Sequence, residues 1–181
     1  MNPPIRENIP QLEALLQPWR DTIGADYAGY RNHVYRMVHC FLALGPSNQE
    51  EQEKLYIAAC FHDIGIWTAN TLDYLPPSVA TANDWLRANA LEGWQSEIGL
   101  MISEHHKLSR YPDKALPLVE RFRQADLVDF SLGMVRFGVS RDFLRDLKRA
   151  FPNAGFHRML MRRALAWCLR HPLHPAPMFK R

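Results

Sequence analysis

Four residues on three separate stretches of the chain have the chemistry to share one ion: His33, the adjacent pair His62-Asp63, and Asp126. A neutral imidazole nitrogen and a carboxylate oxygen both suit a divalent transition metal. Two of each would hold one octahedral ion and leave two positions open for water or substrate. Open positions make such a site catalytic, because the ion acidifies water near neutral pH and polarises a phosphoryl oxygen. Each residue also has a purely structural explanation. His62-Asp63 reads as a buried histidine beside a capping aspartate, His33 as a satisfied core histidine, and Asp126 as half of a salt bridge to an arginine.

A second polar cluster, Glu104-His105-His106-Lys107 followed by Ser109-Arg110, stands at a helix exit. An ordinary solvated helix C-terminus, with cations answering the dipole, has the same composition. Neighbouring residues on a helix diverge by about 100°, so His62 and Asp63 can converge only at a helix end. Gly65 stands where it would stop that helix in the left-handed conformation.

The elements that must position these groups are all helical in pattern. Apolar spacing predicts helices from about Ile9 to Arg20 and from Asp26 to Leu44, the latter carrying His33 with Arg36 one turn later. His39, six residues from His33, lies about 120° away around that helix and is the poorer ligand candidate. Ser47, with Glu50 three residues on, predicts a capping box for the helix that delivers His62-Asp63. Residues Ile66 to Leu75 read as irregular, serving as a wall of the site or as a connector. Further helices are predicted from Pro77 to Ala90, Glu92 to His106, Leu118 to Phe130, Ser140 to Phe151 and Phe156 to Arg170. The Pro-rich tail carries His171 and His174, weak metal candidates. No strand is predicted, and the fold class is all-α.

Composition bounds the rest. The chain has 181 residues, 47% of them apolar and 23% charged, with a formal net charge of +3, which predicts one globular domain, 1–181. That charge is too small to argue for nucleic acid. Cys40, Cys60 and Cys168 are widely spaced among apolar residues and read as reduced core residues. No signal region and no spanning segment are predicted, so the expectation is a cytoplasmic protein without a membrane partner. Between residues 140 and 171 eight Arg or Lys face only two acids, as a solvated face or a surface for an anionic partner.

The words Asn32-His33-Val34-Tyr35-Arg36, Phe61-His62-Asp63-Ile64-Gly65 and Ala125-Asp126-Leu127-Val128-Asp129, in that order, resemble the HD superfamily of metal-dependent phosphohydrolases. The resemblance covers about residues 26–131; the helices at about 139–171 and the tail 172–181 lie outside it. It implies a compact HD-domain-like helical bundle with additional C-terminal helices, and a divalent metal (Mn, Fe, Co, Ni or Zn) held by His33, His62, Asp63 and Asp126. It also implies hydrolysis of a small phosphorylated substrate, often a nucleotide. Two or three positions after the His-Asp pair, many members carry a charged residue where this chain has Gly65 and Ile66. No histidine lies between residues 64 and 104, so only His105 and His106 could add a second ion; one metal per chain is the expectation.

On that basis the expected catalytic residues are Asp63, His105, His106 and Lys107. His105 or His106 would assist the leaving group, and Lys107, Arg110 and Arg36 would meet the phosphate. Two other functions compete: a di-iron oxygenase or small-molecule hydratase, and a weakly active nucleotide-binding regulator. A homo-oligomer is compatible with each.

Overall fold

Helix α4 (Gln49–Phe61) forms the axis of the molecule. Every residue of α4 from Leu55 to Phe61 is buried, as expected of a helical half that is apolar on nearly every side and enclosed by its neighbours, whereas the polar first half, Gln49 to Lys54, is not buried. Those neighbours are α1 (Pro10–Leu16), α3 (Tyr27–Leu44), α6 (Leu75–Ala88), α7 (Gln95–Glu104) and α8 (Pro117–Phe130). The computed structural model describes residues 3–173, 177 and 178, and no strand occurs among them. The chain is an all-α bundle. No helix among the described residues is long and apolar enough to cross a membrane. Of the two tail histidines, His174 lies outside the described residues.

The start of α4 falls one residue later than the Ser47/Glu50 spacing predicts. Asn48 is the cap: its side chain accepts the Glu51 N–H at 2.9 Å, and the Glu51 carboxylate accepts the Asn48 N–H at 3.0 Å. Ser47 is engaged elsewhere, its hydroxyl accepting from Arg121 at 3.3 Å. The first predicted helix is likewise shorter than its periodicity suggested. α1 tightens into a 3₁₀ turn at Gln17–Trp19, where Pro18 removes a donor, before the short α2 (Arg20–Ile23).

Gly65 does not end α4 in the left-handed conformation. Its φ is not positive, and it opens the short helix α5 (Gly65–Thr68). Glycine is needed there for space. A Cβ would lie 2.4 Å from the Tyr74 carbonyl oxygen and 3.0 Å from Ser78 Oγ, the atom that accepts the Gly65 N–H at 2.9 Å. The segment Ala69–Tyr74 is thereby pressed onto the end of α4. Gly65→Ala is expected to cost about 1–3 kcal/mol, in the range of other overpacked sites, and thermal melting of the metal-free protein checks it. An unchanged melting temperature would mean that the Tyr74 strap yields freely.

Two further helices complete the bundle. α9 (Arg141–Ala150) is capped by Ser140, whose hydroxyl accepts the Phe143 N–H at 3.2 Å. α10 (Phe156–Arg170) begins after Gly155 in the left-handed region, φ 87°. It meets α3 at Gly29, where an added Cβ would lie 3.1 Å from the Ala154 carbonyl oxygen. Several cations of this basic region are committed locally. Arg145 pairs with Asp142, Arg149 with Asp146, and Lys148 donates to the Leu132 carbonyl at 2.7 Å.

Candidate metal centre

The last carbonyls of α4 would be unsatisfied in so deeply buried a helix. Tyr30 on α3 donates its hydroxyl to the Cys60 carbonyl at 2.8 Å, and His62 Nδ1 donates to the Ala59 carbonyl at 2.8 Å. A carbonyl oxygen can only accept, so His62 carries its proton on Nδ1 and turns Nε2 inward. His105, at the end of α7, repeats the arrangement, with Nδ1 donating to the Ile102 carbonyl at 2.6 Å. His33 on α3 donates Nδ1–H to Asp129 Oδ2 at 2.7 Å. Three imidazoles therefore have Nε2 turned away from these partners: those of His33 and His62 meet each other at 3.0 Å, and that of His105 faces Asp63 at 3.5 Å.

Asp63 and Asp126 close the cluster. His33 Nε2 lies 3.0 Å from His62 Nε2 and 3.5 Å from Asp126 Oδ1; His62 Nε2 lies 3.3 Å from Asp63 Oδ2. The remaining separations are 3.9 Å for His33 to Asp63 and 4.0 Å for His62 to Asp126. An octahedral ion with bonds of about 2.1 Å separates neighbouring ligands by about 3.0 Å and opposite ones by about 4.2 Å. The five distances fall in that interval. All four side chains are buried.

The donor count points the same way. The Nε2 lone pairs of His33 and His62 cannot face each other at 3.0 Å without a proton on one ring or a metal ion between them. Asp63 Oδ1 and His105 Nε2, 3.5 Å apart, are buried with no hydrogen-bond partner. Such orphaned acceptors are costly unless a cation meets them. The residues present fit a divalent metal: His33, His62 and Asp126 form one grouping that could hold an ion, and His62, Asp63 and His105 form another. A second grouping, His105, His106 and Asp126, also brings its ligand atoms within 4.8 Å of one another.

Charge states follow from burial and partners. Burial lowers the His33 imidazole to about 4, against the pull of Asp129. Burial would raise Asp129, but the hydrogen bonds from His33 and Arg36 overcome it and hold it well below the usual carboxylate range. Burial raises Asp126 to about 7; His105 opposes the rise, and the Asp63 and Asp129 charges add to it. A metal binding at Asp126 must displace that proton. Affinity of the metal-free protein is therefore expected to be flat above pH 7 and to fall about tenfold per unit below it. The sign is that of a group whose bound proton competes with the ion. Calorimetric titration at pH 6 and pH 8, in buffers of different ionisation enthalpy, should show proton release at the lower pH; a pH-independent affinity would contradict it.

The other expected site residues separate into two groups. His105 joins the cluster, and His106 lies beside it, Nδ1 3.7 Å from Asp126 and Nε2 2.5 Å from the Tyr74 hydroxyl. Arg36, expected at the substrate, is instead 2% exposed. Its Nε and Nη2 grip Asp129 at 2.6 and 2.8 Å, and its Nη1 donates to the Phe151 carbonyl at 3.0 Å. It braces the residue that orients His33. Lys107 pairs with Glu104 at 3.6 Å. Arg110 is exposed on a different groove, shared with Lys114 and Arg121. Neither lines the cavity that opens on the cluster.

That cavity measures about 350 Å³. His33, Asp63, His106 and Asp126 form its polar end. The first turns of α10 line it through Phe156, Leu160, Met161 and Ala164, and Leu72 and Tyr74 line it as well. Phe156 stacks on the His33 ring, centroids 4.3 Å apart. His157 also lines the cavity, bonded on one side to Asn153 and on the other to the Phe130 carbonyl at 3.2 Å. Tyr74, Asp129 and the α10 wall carry no motif of their own. Only the one-turn spacing of Asp126 to Asp129, and of Phe156 to Leu160 to Ala164, marks them in the sequence.

No protein-family model, no curated protein and no solved structure matches this chain. What can be said of its chemistry rests on the geometry of this buried His/Asp cluster, which could hold a metal ion.

Proposed function

We propose that this chain is a metal-dependent hydrolase of the HD type, acting on a small phosphate ester and holding one divalent transition metal at His33, His62, Asp63 and Asp126. The observation that carries the reading is the gathering of buried imidazoles and carboxylates into overlapping His/Asp groupings beside a cavity, with Asp63 Oδ1 and His105 Nε2 left without hydrogen-bond partners. When bound, the ion would acidify water and polarise the phosphoryl oxygen. The chain's own residues do the rest. Asp129 holds His33 in the Nδ1–H tautomer, and Arg36 holds Asp129. Tyr74 fixes the ring of His106 at the cavity edge, where that imidazole is placed to move a proton to the leaving oxygen. The apolar walls limit access of bulk water.

A second reading takes the His105, His106 and Asp126 grouping as a further metal position, which would suit a di-iron oxygenase or a hydratase. Metal content per chain, on protein purified without added metal, decides between them. One redox-inert or exchangeable ion, with turnover of aryl phosphates in manganese or cobalt that a chelator stops, is the expected result. Two irons per chain and an oxygen-dependent reaction would replace the hydrolase reading. No metal, and none taken up on reconstitution, would refute both.

A further inference from the structure

We infer that the substrate carries an uncharged apolar group, of about the size of a naphthyl ring, as the alcohol part of its ester, and that it is not a nucleotide. The inference rests on the hydrolase reading and names its substrate class. Among the described residues, every polar side chain lining the cavity belongs to the metal cluster, to His106 with its partner Tyr74, or to His157. His157 has both ring nitrogens engaged, and the Tyr74 hydroxyl is engaged with His106. Among the described residues, no lysine, arginine, serine, threonine, asparagine or glutamine lines the cavity.

A nucleotide needs the opposite environment. Ribose hydroxyls and base edges lose their water on entering a pocket and must find donors and acceptors there. A further phosphate would need a cation or a row of backbone N–H groups. Here much of the remaining lining is apolar, Phe156, Leu160, Met161, Ala164 and Leu72 among it. An aryl or branched alkyl group gains by leaving water for such a surface.

The apolar surface also continues outward. Met161 is 74% exposed and Leu132 52%, and both line the cavity. Leu165, one turn beyond Met161 on α10, is exposed as well. A ligand whose polar head sits at the cluster therefore has an apolar path toward solvent. Only one small polar end is provided for, and it is where the reaction takes place. In that reaction the oxygen of water bonds to phosphorus and the bond from phosphorus to the ester oxygen breaks. One water proton passes to the leaving oxygen, so the products are the apolar alcohol and hydrogen phosphate.

The test is binding, read apart from turnover. Fluorescence titration of metal-free protein with 1-naphthol, and calorimetry of the manganese-loaded protein with 1-naphthyl phosphate and with AMP, are the measurements. Naphthol should bind without metal, and naphthyl phosphate should bind about 100-fold more tightly than AMP. Ala164→Phe, which fills the cavity away from the cluster, should weaken naphthol binding at least about tenfold while metal content stays at the wild-type value. Met161→Glu, at an exposed position where folding is not at risk, should weaken it in the same direction. AMP binding as tightly as naphthyl phosphate, or naphthol binding untouched in both variants, would overturn the inference. Naphthol binding that both variants weaken, in a protein that hydrolyses no ester, would uphold the apolar pocket and refute the hydrolase reading instead.

Discussion

Adding manganese or cobalt at 1,000 times its dissociation constant is expected to raise the melting temperature of the wild-type protein by roughly 8–16 °C, and to leave Asp63→Ala unmoved. An ion that binds only the folded state contributes about 4.1 kcal/mol at that excess, and a domain of this size gains about 2–4 °C per kcal/mol. Asp63 is the residue whose loss should remove the effect entirely. Its Oδ2 lies 3.3 Å from His62 Nε2 and its Oδ1 faces His105 Nε2 at 3.5 Å, so it touches both histidine groupings. In the proposed site it would also supply one of the two carboxylate charges that balance a divalent ion. Alanine at this position leaves His33, His62 and Asp126, with a gap where the carboxylate stood. Metal content and turnover should fall with the thermal shift. A variant that melts later in metal by as much as the wild type would place the ion elsewhere on the protein.

What the sequence made legible here is the set of groups whose type announces their chemistry. His33, His62-Asp63 and Asp126 are unusual as buried residues, and each sits on a helix that apolar periodicity could delimit. The structure brings them together with His105 and His106. Arg36 shows the opposite case. Its place one turn after His33 fixed its side of α3, but its partner is 93 residues away on α8, and no local pattern contains that pairing. A cation beside a candidate site looks the same whether it meets substrate or braces a carboxylate.

Only adjacency to His105-His106 ties Lys107 and Arg110 to the site in the sequence. Adjacency means little at a helix exit, where successive side chains diverge and the chain turns away. Gly65 was readable as a special position and not as to why. The reason is the carbonyl of Tyr74, set by the path of a loop. The cavity wall illustrates the same limit, since Phe156, Leu160 and Ala164 mark a helical face without naming what that face covers.

Asp129 offers the sharpest separation of stability from metal binding. Asp129→Ala is expected to destabilise the metal-free fold by about 3–5 kcal/mol, the usual consequence of stripping one partner from a buried ion pair. Arg36 would keep only its carbonyl contacts, to Phe151 and Pro152 at 3.0 and 3.2 Å, around a full buried charge. His33 would lose the acceptor of its Nδ1–H and with it the preference for turning a lone pair inward. Loss of such an orienting partner lowers metal affinity about 10- to 100-fold. The two effects come apart in the double variant Asp129→Ala with Arg36→Met. Removing the stranded charge should return most of the stability, because a buried pair replaced by apolar groups is often near neutral. Metal affinity should stay low, because His33 still lacks its acceptor. Urea unfolding and calorimetric metal titration on the three proteins measure the two quantities. Were the double variant to regain affinity along with stability, Asp129 would act on the metal only by holding the fold, and His33 would need no orienting partner.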